Sequence, residues 1–176
     1  MRKILIVNGH LVIGGAEKLV YELAVFAQKN NIAPTVLIID NYIREYYDPI
    51  FKQKKIKVVR TRLSTIRNFR APLKMLRSMY WSLRLKYFAN SVYDSVHVIG
   101  LHNIYRAKDF INHSNRFYWH VTNAAQGAYN YPESYFDNPN DTLVCINQYQ
   151  ENELDSHYGN DVFKCKRVLF PLFLND

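Results

Sequence analysis

The chain of 176 residues is long enough for one domain with a real core, and its 48% apolar and 22% charged content excludes a disordered chain. Its apolar runs all fall short of the ~18 residues that a membrane span needs, and the run Ile4–Val7 is cut off by Asn8-Gly9-His10 too early for a signal peptide. The net charge of +8 is concentrated, since every charged residue between Asp48 and Asp94 is Lys or Arg, and such a block suits a phospholipid surface, a phosphorylated ligand or nucleic acid.

In chain order, short β-branched runs alternate with longer helical patterns. Strands are predicted at Lys3 to Asn8, Thr35 to Asp40, Ile56 to Arg60, Ser95 to Ile99, Arg116 to Val121, Thr142 to Ile146 and Arg167 to Phe170. Helices are predicted at Ala16 to Lys29, Leu73 to Phe88, Ile104 to Asn112 and Gln148 to Tyr158. Strands as continuously apolar as Ile4 to Val7 fit a sheet covered on both faces, so the expected fold is α/β: a doubly wound, mainly parallel, Rossmann-like sheet. The long connection Thr122 to Asp141 carries Gly127, Pro132 and Pro139 and is of a length usually kept for function. Cys145 and Cys165 have no metal or redox spacing, which favours a reducing compartment, the cytoplasm.

The first strand runs through Asn8-Gly9-His10 to Gly14-Gly15-Ala16-Glu17-Lys18, where a helix begins. Glycines at such a turn let backbone approach a ligand, and the free N–H groups of a helix start favour an anion. Gly14 and Gly15 are equally compatible with a tight turn that packs helix on sheet. The spacing is neither Gly-x-Gly-x-x-Gly nor a Gly-x-x-x-x-Gly-Lys-Ser/Thr phosphate loop. Asp40, ending the second predicted strand, stands where a nicotinamide dehydrogenase would hold a ribose, and keeps that class open.

The Gly14-Gly15-Ala16-Glu17-Lys18 turn after Ile4–Val7 resembles the opening of the retaining GT-B glycosyltransferases of family 4. Tyr93-Asp94-Ser95-Val96-His97-Val98 is similar to that family's Asp-hydrophobic-hydrophobic-His strand, and Tyr118-Trp119-His120-Val121 to its strand ending in His. Leu143 to Asn147 and Arg167 to Pro171 resemble its last strands before the linker, with Asn147 in place of a common Ser and Pro171-Leu172-Phe173 in place of Pro-Asn-Gly. The resemblance implies that residues 1–176 are the N-terminal, acceptor-side half of a GT-B enzyme, and that the C-terminal donor-binding half lies outside this sequence. It also implies that Gly14, Gly15 and His120 line the cleft, with His120 near the transferred sugar. No cofactor is implied. A nucleotide-sugar would be held mainly by the missing half, and its sugar moved, with retention, to a polysaccharide or lipid-linked acceptor. The isolated chain would be inactive; a non-catalytic half of a split enzyme is the further alternative.

From position alone, His120 at a strand end is either a cleft residue or a structural hydrogen bonder, His97 inside a strand is structural, and His10 is a weaker rim candidate. His97, His102 and His120 have no tight ligand spacing, so no metal is expected, and no Gly-x-Ser-x-Gly elbow or Cys/His pair points to a hydrolase.

Within Leu73 to Phe88, helical spacing puts Leu73, Leu76, Tyr80, Leu83 and Tyr87 on one stripe, expected to pack on the sheet. Lys74, Arg77, Trp81, Arg84 and Phe88 form another, expected to face out as an acceptor or membrane contact of a peripheral protein on the inner membrane face. The alternative is that these cations only solvate an outer face while Trp81 and Phe88 cover core edges. Nucleic acid is disfavoured, because no recognised motif for it accompanies the charge.

Overall fold

The computed structural model describes residues 1–39, 43–61, 73–90, 92–100, 111–121 and 131–171. Asp40, His102, the expected helix up to residue 110, the 122–130 part of the long connection, the Lys74 side chain and residues 172–176 lie outside the described residues.

Seven strands form one sheet in which every pair is parallel, in the order β3-β2-β1-β4-β5-β6-β7. They are β1 (Lys3–Asn8), β2 (Ala33–Ile38), β3 (Lys57–Arg60), β4 (Ser95–Ile99), β5 (Arg116–His120), β6 (Asp141–Cys145) and β7 (Lys166–Leu169). Among the described residues the helices are α1 (Gly15–Lys29), α2 (Asp48–Gln53), α3 (Leu73–Asn90) and α4 (Gln148–Tyr158), with single 3-10 turns at Glu133–Tyr135 and Asn160–Val162. The expected doubly wound α/β sheet is the fold of the chain.

Alternation along the strands divides the core into two layers. Ile4, Ile6, Val36 and Ile38 pack with Leu19, Val20 and Ala24 of α1 and Phe51 of α2, while Leu5, Val7, Leu37, Val96, Val98 and Leu143 pack with Leu85 and Ala89 of α3 and Leu154 of α4. The central strands are covered on both faces in this way, which explains their unbroken apolar runs. Pro34 lies just ahead of Thr35, the first β2 residue paired to β3, so its missing N–H falls at the strand's start.

Helix ends follow local chemistry. α1 closes on Asn31, in the left-handed region with φ 59°, and Ile32 N donates to Ala27 O at 2.9 Å, which satisfies a carbonyl of the last turn. α4 starts on Asn147, whose side chain accepts from Gln150 N at 2.8 Å. Asn caps a helix as well as the Ser that the resemblance led one to expect there. Arg116 joins β5 to β6 from within: its Nε donates to Asp141 Oδ1 at 2.7 Å and its Nη2 to Asp141 Oδ2 at 3.1 Å, both groups being buried.

The orientation of α3 corrects the sequence reading. Among its described side chains, Leu85 and Ala89 are buried, with Trp81 and Phe88 half-buried beside them. The stripe Leu73, Leu76, Tyr80, Leu83 and Tyr87, expected on the sheet, is 53–82% exposed. The inward side is the one on which Leu85, Ala89 and Phe88 join the second of these core layers, and the longer apolar stripe lies on the opposite side of the helix.

Candidate functional site

The strand order places β1 next to β4, although β2 and β3 intervene in the chain. A crevice opens at such a reversal outside the carboxyl ends of the strands, where ligands of open α/β sheets bind. This edge is made by Asn8 and the glycine turn after β1, Gly100 after β4, His120 at the end of β5 and Asn147 after β6. Gly100 has φ 80°, a left-handed conformation that favours glycine at the switch point itself.

Asn8 is buried, and its Nδ2 donates to His10 O at 2.8 Å, which bends the chain away from β1. A network from the β2–β3 connection then holds the turn in place. Leu11 N donates to Glu45 Oε2 at 2.6 Å, and His10 Nδ1 lies 3.1 Å from Glu45 Oε1. Arg60, at the end of β3, donates through Nη1 to Glu45 Oε2 at 3.1 Å and through Nη2 to Asp48 Oδ2 at 2.5 Å. Asp48 Oδ2 also accepts from Glu45 N at 2.6 Å. Two nearly buried carboxylates thus share one guanidinium and clamp the loop that leads into α1. None of this was evident in the sequence, apart from Arg60 ending a predicted strand.

Gly14 is the N-cap of α1 with extended backbone (φ −172°), so its glycine is not demanded by conformation. A Cβ there would collide with the carboxylate of Glu17, which folds back over the first turn. Glu17 stands three residues after the N-cap, the place from which an acid commonly reaches back to a helix start. Gly15, by contrast, has open space where a side chain would begin. The turn therefore exposes backbone at Gly15, and an anion arriving there meets the N–H groups of the first turn and the Glu17 carboxylate together.

His120 is fully buried at the end of β5, two strands from β1 and so roughly 10 Å across the sheet. Its ring meets Tyr131 edge to face at 6.5 Å, and Tyr131 is tied through its backbone N–H to Tyr158 Oη at 2.9 Å. Burial lowers the His120 pKa to about 4, against a smaller upward pull from Glu153. At neutral pH the ring is uncharged and can donate and accept one hydrogen bond each.

His97 is held in one tautomer. Its Nδ1 accepts from Trp119 Nε1 at 3.2 Å, so Nε2 carries the proton toward Ser95 Oγ at 3.1 Å, and the ring stacks on Phe117 with centroids 4.7 Å apart. Burial lowers its pKa to about 4 as well. This is a structural residue, as its place in the strand suggested.

Both thiols are free and buried, and burial pushes Cys145 up to about 12 and Cys165 up to about 11, so neither is a ready nucleophile at neutral pH. Among the described residues no three His, Cys, Asp or Glu side chains are grouped to hold a metal ion. No helix among them is long and apolar enough to cross a membrane.

The glycine turn and His120 thus share the carboxyl edge, whereas Arg77, Trp81 and Arg84 belong to α3 on a covering layer. Trp81 and Arg84 line a hollow of about 250 Å³ with Arg60 and Thr61, at the β2–β3 side of the sheet. The edge supplies exposed backbone at Gly15 and a braced loop, which is equipment for binding, while the neutral imidazole of His120 lies buried beneath it. No protein-family model matches the chain, and no curated protein matches it.

Proposed function

We propose that the chain is the acceptor-side, Rossmann-like half of a two-domain GT-B glycosyltransferase acting at the cytoplasmic side of a membrane. The observation that carries the reading is the joint placement of the Gly14-Gly15 turn and His120 on the carboxyl edge of an all-parallel sheet, flanking the β1/β4 reversal. In such an enzyme this edge faces the donor-binding half, and the cleft between them holds the sugar. The half described here contributes position: the Glu45–Arg60–Asp48 clamp fixes the glycine turn, and neutral His120 lies buried under the edge against Tyr131. The acceptor is a polysaccharide or a lipid-linked glycan, and the donor is a nucleotide-sugar that the other half binds.

Nitrogen-15 NMR titration of the chain tests the reading. Oligosaccharide and lipid-linked glycan acceptors are expected to shift the amides of Gly9, Gly14 and Gly15 and the ring signals of His120, while NAD leaves them in place. Tight NAD binding that Asp40→Ala weakens would replace the proposal with a dehydrogenase domain.

A further inference from the structure

The outward face of α3 is the least expected surface of the molecule. Helical spacing sets Leu73, Leu76, Met79, Tyr80, Leu83 and Tyr87 on one arc about 120° wide, with Met75 just beyond it, opposite the side that buries Leu85 and Ala89. All are more than half exposed. Monomeric soluble domains rarely present a contiguous apolar surface of this kind unless something binds it.

The charge around the face identifies its occupant. Arg77 and Arg84 border the arc on one side and Lys86 on the other, and α3 contains no acidic residue. Arg84 is drawn over the face, with Nη1 donating to Tyr80 Oη at 2.8 Å and its guanidinium 5.4 Å from the Trp81 ring. At the foot of the helix, Tyr87 leads into a hollow of about 750 Å³ whose cations are Lys3, Lys55 and Lys57. Asp94 is the nearby acid, and one of its oxygens is taken by the backbone N–H of Lys3 at 2.6 Å. A second copy of the chain would set cations against cations here. A surface with apolar depth and negative headgroups complements both features.

We infer that α3 lies in the plane of an anionic phospholipid bilayer, with its Leu, Met and Tyr stripe in the acyl boundary and Arg77, Arg84 and Lys86 among the headgroups. Helices with a wide apolar arc bordered by Lys and Arg bind membranes in this way. The inserted face is the stripe that sequence periodicity assigned to the core, and the inference stands on α3 alone, whatever reaction the carboxyl edge serves.

The test is co-sedimentation of the full chain with vesicles of phosphatidylglycerol and phosphatidylcholine. The wild-type chain is expected to bind when phosphatidylglycerol is present and to be released by salt. Leu76→Glu combined with Leu83→Glu lowers the bound-to-free ratio at least tenfold while leaving the melting curve in place, because both positions are exposed. As a second readout, a Leu83→Trp variant is quenched by lipids brominated in the acyl chain. Binding unchanged by the glutamates, absence of binding by the wild type, or binding without acyl-chain quenching would each overturn the inference. So would a dimer, seen by analytical ultracentrifugation, that the same glutamates dissolve.

Discussion

Arg60 supplies the guanidinium that two carboxylates share, so its removal measures what it contributes to the clamp under the glycine turn. In Arg60→Met the aliphatic stem is kept, but Glu45 and Asp48, whose side chains are 6% and 16% exposed, lose the guanidinium that lies between them. Hydrogen bonds to charged groups contribute about 1.5–3 kcal/mol net, and stranding a buried charge costs about 3–5 kcal/mol. The slight exposure of both acids discounts that upper range, and we expect a loss of about 2–4 kcal/mol. For a domain of this length that corresponds to a melting point lower by about 4–16 °C. Urea unfolding followed by circular dichroism gives the free energy. A second variant, Arg60→Met with Asp48→Asn, removes one of the opposed charges and is expected to regain at least about 1 kcal/mol. A loss under about 0.5 kcal/mol in Arg60→Met, the size of an ordinary surface pair, would refute the argument that this network braces the turn.

Asp141→Asn leaves the Arg116 guanidinium buried without its charge partner, and urea unfolding is expected to show a loss of about 3–5 kcal/mol. Leu85→Ala should cost about 2–4 kcal/mol as a buried truncation, whereas Leu83→Ala, on the exposed face, should stay within about 0.5 kcal/mol; reversed magnitudes would mean that α3 packs by the other stripe. His97 and His120 titrate near 4 when folded and near 6.5 when unfolded, so the unfolded chain binds more protons between those values. Stability is therefore full above pH 6.5 and falls as the pH drops toward 4, by about 1.4 kcal/mol per pH unit for each histidine. His97→Gln should remove about half of the slope measured between pH 6.5 and 5, and a flat profile for the wild type would contradict the burial of both rings.

Much of the fold could be read from the sequence because buried parallel strands and capped helices leave local signals. Lys3–Asn8, Ser95–Ile99 and Gln148–Tyr158 have the predicted bounds. β2 starts two residues before its predicted start, at Ala33, because Pro34 reads as a breaker unless the start of the β3 ladder is known. α2 went unseen, since its six residues bury only Phe51 and so carry no periodicity. α3 misled for a different reason. Its apolar residues fall on both sides, so counting the longer stripe selects the wrong one; only packing on the sheet decides that Ala89 and Leu85 go inward.

The site was legible only in part. A strand end marks His120, and a glycine pair marks the start of α1, yet no residue pattern indicates that Glu17 folds over Gly14. The clamp of Glu45, Asp48 and Arg60 joins a turn after β1 to the end of β3, and contacts between distant segments leave no pattern in the chain. His97 shows the opposite case, since alternation with Val96 and Val98 already placed it inside the sheet, where Trp119 now fixes its tautomer.

Transfer of a sugar across the proposed cleft beside Gly14, Gly15 and His120 can be assayed as such. The protein would be incubated in its host's membrane extract with a panel of radiolabelled nucleotide-sugars and with membrane lipids and polysaccharide as acceptors, beside its His120→Ala variant. Label is expected in a lipid-linked or polysaccharide product for at least one donor, with transfer by His120→Ala reduced at least tenfold and its folding retained. Transfer unaffected by His120→Ala would remove that residue from the cleft, and absence of transfer from every donor would contradict the glycosyltransferase assignment.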